Sequence, residues 1–138
     1  MFEKLTVLIP ELEKSVIGTV IFDNEHAGTV EDPIPMPYVD YDGIVFDLIR
    51  EMHSFAESHP DYDLFNYMEI MKANNIGFGG LDPKKVDIAE SDAKIIMVLL
   101  MAVIRQDRFN EGLLLEYCQN GCVLRWLNRL KEIDETSK

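Results

Sequence analysis

Residues 95–104 read IIMVLLMAVI, ten consecutive apolar residues that leave no polar position on any face of a helix. A helix that is apolar all round is stable in water only when other elements surround it. Ten residues are also well short of the ~20 that a membrane-spanning helix needs. The stretch therefore predicts a central core helix, which we place over 92–108, and it leaves the rest of the chain to supply the walls.

Amphipathic segments on both sides of this helix are the predicted walls. Their apolar residues recur every three to four positions, the spacing of one helical face. On the N-terminal side these are Ile44, Val45, Leu48, Ile49, Met52 and Phe55, and on the C-terminal side Val123, Trp126, Leu127, Leu130 and Ile133. Similar stripes occur at 2–12, where Pro10 should kink the helix or start a second one, and at 61–75, with Leu64, Tyr67, Met68 and Met71. The sequence predicts a mainly all-α single domain, 1–138, of about five to six helices.

Breaks between the helices are marked by proline and glycine. Pro33, Pro35 and Pro37 alternate with other residues, which fixes extended backbone and predicts a long proline-containing loop. Residues 16–23, earlier in the chain, are mostly β-branched and fit either a strand or coil. Glycines 77, 79 and 80 lack the preceding strand of a nucleotide-binding fingerprint, so we interpret them as turn residues. Ser91 is the predicted N-cap of the central helix.

Charge is distributed unevenly along the chain. Residues 1–69 hold fifteen acidic and three basic side chains, whereas 70–138 hold ten of each, so the first half carries the whole net charge of −12. An acidic surface repels phosphate backbones and anionic lipid, which argues against nucleic-acid and membrane partners. The simplest role for the acidic first half is a surface that keeps the protein soluble.

Metal, cofactor and nucleophile signals are weak. His53 and Glu57 are spaced i, i+4, but the only further ligand in prospect is His26 in the long loop. Cys118 and Cys122 are better interpreted as buried thiols than as a metal or redox pair. We predict no metal site and no cofactor. The absence of an export signal and the two cysteines predict reduced thiols and a cytoplasmic location.

The segment RQDRFNEG, 105–112, follows the apolar stretch directly. If the central helix continues, Arg105, Arg108 and Gly112 fall on one stripe that could bind a carboxylate or phosphate. The alternative is structural, with the arginines paired to Asp40, Asp42 or Asp47. Such pairs would tie the loop, including Pro37 and Tyr38, to the central helix. We favour the structural interpretation.

Two elements of the sequence carry a resemblance to a known family. They are Pro-x-x-Met-Pro-aromatic, present as Pro33, Met36, Pro37 and Tyr38, and Arg-x-x-Arg-Phe-x-x-Gly, present as Arg105, Arg108, Phe109 and Gly112. With the ending NGCVLRWLNRLKEID, the chain resembles over nearly its whole length a small family of Gram-positive bacterial proteins known only as a domain of unknown function. The resemblance implies one complete domain and no particular chemistry.

The function predicted from these observations is non-catalytic. Every long apolar stripe is explained by packing, and no nucleophile, base and orienting group are visible together. We predict an interaction or regulatory domain that acts through a homodimer or another protein partner. Self-association is expected because the methionines Met68, Met71, Met97 and Met101 exceed what one small core should cover. The alternative is a binder or enzyme of a small anionic metabolite or nucleotide that uses Arg105 and Arg108 as a clamp.

Overall fold

A computed structural model of the protein describes residues 1–21, 38–77, 79–110 and 112–136. Within these ranges the chain is mainly helical, which confirms the predicted fold class. The helices are α1 (Glu3–Thr6), α2 (Ile9–Lys14), α3 (Gly43–Ser58), α4 (Tyr67–Ala73), α5 (Ala93–Gln106), α6 (Leu113–Gln119) and α7 (Cys122–Thr136). Two strands, β1 (Gly18–Ile21) and β2 (Tyr38–Tyr41), form one antiparallel pair. In these ranges no helix is long and apolar enough to cross a membrane.

Helix α5 is the centre of the fold, as the apolar stretch predicts. Every residue from Ile96 to Ile104 is buried, and α3, α4, α6 and α7 all contact this helix. The helix is shorter at both ends than the predicted 92–108. Its N-cap is Asp92, whose carboxylate accepts a 3.0 Å hydrogen bond from the N–H of Ile95. The predicted cap, Ser91, instead donates its hydroxyl to the carbonyl of Asp87.

The walls of the core follow the predicted stripes. In α3 and α7 the inward residues are buried, apart from Ile49 and Ile133, which are half-buried. Pro10 is the second residue of α2, so the N-terminal segment forms two short helices, one of the two arrangements predicted. Both short helices pack against α7 and α3.

The segment 61–75 is not one continuous helix, so that prediction is wrong. Two 3₁₀ turns, Pro60–Tyr62 and Leu64–Asn66, flank Asp63, whose φ of 52° is left-handed and interrupts the helical path. Because residues i and i+3 eclipse in a 3₁₀ turn, Leu64 and Tyr67 share the inner face and Met68 turns outward. Met68 is 44% exposed.

The methionine argument for self-association is also wrong. Met71, Met97 and Met101 are buried within the chain itself, so one core covers three of the four side chains. The reason is that α5 is enclosed on all sides by its own neighbours.

The strand-or-coil question at residues 16–23 is answered for the described part, because β1 is a strand over Gly18–Ile21. Residues 22–23 lie outside the described ranges. Gly18 pairs with Tyr41, and Val20 with Val39. A Cβ on Gly18 would lie 2.9 Å from Cγ1 of Val39 and 3.1 Å from Cδ1 of Tyr41. A side chain at position 18 would therefore force Val39 and the Tyr41 ring to shift. The proline-containing loop, with Pro37, lies outside the described residues.

The glycine-rich loop between α4 and α5 is a turn, as predicted. Gly77 and Gly79 have φ of 68° and 90°, which L side chains rarely adopt. The N–H of Gly77 donates to the carbonyl of Leu81 at 2.7 Å, and the N–H of Gly80 donates to the carbonyl of Gly77 at 2.7 Å. These two donors are used within the loop, so they are not directed at a phosphate.

Candidate functional site

The segment 105–112 does not continue the central helix. Helix α5 ends at Gln106, and Gly112 has a φ of 91° immediately before α6. This left-handed residue turns the chain, so Arg105, Arg108 and Gly112 do not lie on one helical stripe. The predicted geometry of the anion clamp is therefore wrong.

Asp107 explains why the chain turns at this point. Gly112 occupies the N-cap position of α6 but has no side chain with which to accept the first N–H groups. The carboxylate Oδ1 of Asp107 accepts the N–H of Leu114 at 3.0 Å in its place. The same oxygen accepts the hydroxyl of Tyr41 at 2.9 Å, and that hydroxyl accepts the N–H of Leu115 at 3.2 Å. The β1–β2 pair, which we call the hairpin, and the start of α6 are thus joined by one hydrogen-bonded group.

The two arginines do not make the predicted structural ion pairs among the described residues. The guanidinium of Arg105 lies over the ring of Phe65, 5.7 Å from its centroid, and Arg108 is exposed. Of the proposed acidic partners, Asp42 accepts the hydroxyl of Ser15, Asp47 pairs with Arg50 at 2.9 Å, and Asp40 is exposed on β2. The proline loop that these pairs were expected to hold lies outside the described residues. The contact seen nearby is between Tyr41 of β2 and Asp107, the residue after α5.

Tyr38 and Gly112 both line a surface groove between the β1–β2 pair and α6. We call it the Phe109 groove, and among the described residues it is lined by Val20, Tyr38, Val39, Phe109, Asn110, Gly112, Leu115, Glu116, Gln119 and Asn120. Phe109 is 88% exposed, although its backbone N–H is held by the carbonyl of Gln106 at 3.0 Å. Tyr38 and Val20 are also exposed. The turn therefore presents a large apolar side chain to solvent in the same groove as the exposed side chains of Tyr38 and Val20. Such an exposed apolar patch is more informative than a single exposed residue.

The described lining of the groove is nearly uncharged, whereas the chain as a whole has a net charge of −12. Glu116 is the one carboxylate in its described lining, and it pairs with Lys84 at 3.1 Å. The other polar groups there are the tyrosine hydroxyl and the amides of asparagine and glutamine. Depletion of charged side chains is a feature of the core of protein interfaces.

The histidines and cysteines do not assemble into a reactive site in the described part of the chain. His53 and His59 each bond through Nδ1 to a backbone carbonyl, of Ile49 at 3.0 Å and of Phe55 at 3.2 Å. No group of three His, Cys, Asp or Glu residues there is arranged to hold a metal ion. Cys118 and Cys122 are buried and free, as predicted. Burial raises the pKa of the Cys118 thiol to about 12 and also raises the pKa of Cys122.

Sequence reasoning missed Asp107 and Phe109 as the informative residues of 105–112. The sequence does indicate that Phe109 is exposed, because it stands among four charged residues in a segment that has no other apolar side chain to form a buried face. Asp107 had no comparable signal, since it lies six positions before α6 and its partner Tyr41 is 66 residues away.

Comparison with known proteins identifies a family and no activity. The model of a family described as "Family of unknown function (DUF6508)" matches residues 2–136. The comparisons find no matching curated protein and no matching solved structure.

Proposed function

The chain belongs to the DUF6508 family, whose function is unknown, and we propose that it is a non-catalytic domain that pairs with a second copy of itself through the Phe109 groove. The observation that carries this proposal is the 88% exposure of Phe109 on a hydrogen-bonded turn. Burying a large apolar side chain against a partner contributes favourable free energy in proportion to the apolar area removed from water.

Self-complementarity favours a second copy as the occupant. A twofold dimer uses the same patch on both chains, so each copy must offer both an anchor and a place for it. Phe109 is the anchor, and Val20, Tyr38 and Leu115 are apolar lining residues of the same groove. Aromatic anchors in apolar pockets contribute a large share of the energy at protein interfaces.

The net negative charge of each copy determines how salt should affect the dimer. Two copies that each carry −12 repel one another at long range, but the described lining of the groove adds little to that repulsion. Salt screens the long-range term and leaves the apolar contact. Self-association should therefore tighten as the salt concentration rises, whereas a complex with a basic protein would weaken.

The chemistry of the groove supports binding better than catalysis. Its described lining is aliphatic, aromatic and amide, and its one carboxylate is already paired with Lys84. We also place the protein in the cytoplasm. The free thiols of Cys118 and Cys122 support that location, because reducing compartments keep cysteines unpaired.

The test is sedimentation equilibrium of the wild type, Phe109→Ala and Phe46→Ala at micromolar concentrations. Phe46 is a matched control because it is a 57% exposed phenylalanine on α3, outside the groove. We expect the wild type and Phe46→Ala to dimerise equally, and Phe109→Ala to dimerise at least about tenfold more weakly. The urea midpoints should agree, because truncating exposed side chains changes stability by only about 0.5 kcal/mol.

Three outcomes would overturn the proposal. One is a wild type with the mass of a single chain at every concentration and salt level. Another is a dimer that Phe109→Ala leaves unchanged, which would place the interface elsewhere. The third is equal weakening by both variants, which would indicate unspecific association of exposed apolar surface.

A further inference from the structure

Arg105 lies outside the Phe109 groove and packs over an aromatic ring instead of pairing with a described carboxylate. Arg50 and Arg129 pair with carboxylates, and Arg125 donates to the carbonyl of Lys84. Arg105 makes no ion pair with a described carboxylate, and its guanidinium lies 5.7 Å from the centroid of the Phe65 ring. A cation held over an aromatic face keeps its N–H donors for other partners.

His53, on α3, lies beside the Phe65 ring. Its imidazole stacks with Phe65 at a centroid distance of 6.3 Å and an interplanar angle of 24°. Nδ1 lies 3.0 Å from the carbonyl of Ile49, and a carbonyl only accepts, so Nδ1 carries the hydrogen. In the tautomer with its hydrogen on Nδ1, the Nε2 atom of His53 is an acceptor. Three elements, α3, the Leu64–Asn66 turn and α5, thus bring a donor group and an acceptor to one aromatic ring.

Phe65 itself is 51% exposed, so a ligand can reach the part of this residue that Arg105 and His53 leave uncovered. A ring that stacks on it gains apolar and π contact of the kind that binds bases. An anion attached to that ring can be bound by the guanidinium in bidentate fashion. A hydroxyl or amino group of the ligand can donate to Nε2 of His53.

We infer that Phe65, Arg105 and His53 form a binding site for a small aromatic anion of the nucleoside monophosphate class. The site differs from the clamp expected from the sequence, because Arg108 and Gly112 are not part of it. No residue of the site lines the Phe109 groove, so its test is independent of dimerisation.

The probe is adenosine 5′-monophosphate, titrated into ¹⁵N-labelled protein while the side-chain Nε–H resonance of Arg105 and the backbone amides are followed by NMR. Adenosine, which lacks the anion, and inorganic phosphate, which lacks the ring, are titrated in parallel. The variants are Arg105→Gln and Phe65→Leu, with Arg108→Gln as the control. That control removes the same charge from the same segment at an exposed position.

We expect saturable shifts with the monophosphate and weaker binding of adenosine and of phosphate. Affinity should fall about tenfold or more in Arg105→Gln, since a charge-assisted hydrogen bond is lost. It should also fall in Phe65→Leu and stay at the wild-type level in Arg108→Gln. Circular dichroism checks that each variant is folded, and Phe65→Leu provides the test if Arg105→Gln is not.

The inference is overturned if the monophosphate produces no saturable shift in the wild type. It is equally overturned if Arg105→Gln and Arg108→Gln weaken binding to the same extent, because the effect would then be one of net charge. Binding of inorganic phosphate as tight as that of the monophosphate, unaffected by Phe65→Leu, would remove the aromatic part of the site.

Discussion

The hydroxyl of Tyr41 donates a 2.9 Å hydrogen bond to the carboxylate of Asp107 and accepts the N–H of Leu115 at 3.2 Å. This one hydroxyl joins β2, the end of α5 and the first turn of α6. Gly18 makes the arrangement possible, because a side chain there would meet the Tyr41 ring. The position of the hairpin, and with it one wall of the Phe109 groove, depends on this contact.

Tyr41→Phe should lower the free energy of unfolding by about 1–3 kcal/mol, since it leaves the N–H of Leu115 without its acceptor and removes the donor to Asp107. Urea denaturation measures the change. Tyr38→Phe is the control, because Tyr38 is 55% exposed and retains its ring. Equal midpoints for wild type and Tyr41→Phe would show that the hydroxyl does not hold the hairpin.

Asp107→Ala and Arg108→Ala should differ sharply although they are neighbours in one turn. Asp107→Ala removes the cap of α6 and should cost about 1–3 kcal/mol. Arg108 is exposed and makes no ion pair among the described residues, so its replacement should change stability by less than about 0.5 kcal/mol. A larger loss in Arg108→Ala, reduced by salt, would restore the ion-pair interpretation of RQDRFNEG.

Leu100→Ala should cost about 2–5 kcal/mol, because it opens a cavity in the middle of α5, where Leu100 is 1% exposed. Leu81→Ala makes the same chemical change at a residue that is 44% exposed. The comparison of their urea midpoints isolates the cavity. Similar midpoints for the two variants would mean that α5 is not the centre of the core.

Cys118 should make the protein less stable in alkaline solution. Burial, and secondarily the nearby carboxylate of Asp107, raises the pKa of this thiol to about 12. The unfolded chain ionises at a pKa of about 8.5, so the stabilisation is complete below that pH and is lost as the pH rises towards 12. Unfolding free energy measured between pH 7 and pH 10 should fall less steeply in Cys118→Ala.

That comparison must be made as a difference between the two proteins. Burial also raises the pKa of Tyr62 and of Tyr117, and both groups contribute to the alkaline slope in either protein. Parallel slopes for the wild type and Cys118→Ala would contradict the burial of the thiol.

The helices were predictable because their information is local. The run Ile95–Ile104 and the stripes of α3 and α7 place apolar groups at helical spacing, and burial then follows. The interruption at Asp63 was not predictable in this way, since the left-handed residue leaves the apolar spacing almost unchanged. It nevertheless moves Met68 from the core to the surface.

The candidate site was harder to predict because its contacts join distant parts of the chain. Asp107, just after α5, caps α6 and also accepts the hydroxyl of Tyr41. Arg105 packs over the ring of Phe65, forty positions earlier in the chain. In the sequence, the first half of the chain has many acids and few cations, which suggests ion pairs between its acids and the two arginines. In the fold, Asp107 accepts the N–H of Leu114 and the hydroxyl of Tyr41, and Arg108 remains at the surface.

The central claim is that Phe109 of one copy lies in the groove of another. An isotope-filtered NOE experiment on an equal mixture of ¹³C-labelled and unlabelled protein tests it directly, since only contacts between copies give signals. We predict intermolecular NOEs from the ring protons of Phe109 to the methyl groups of Val20 and Leu115, lost in Phe109→Ala. A dimer without these NOEs, or with NOEs only to other surfaces, would contradict the account.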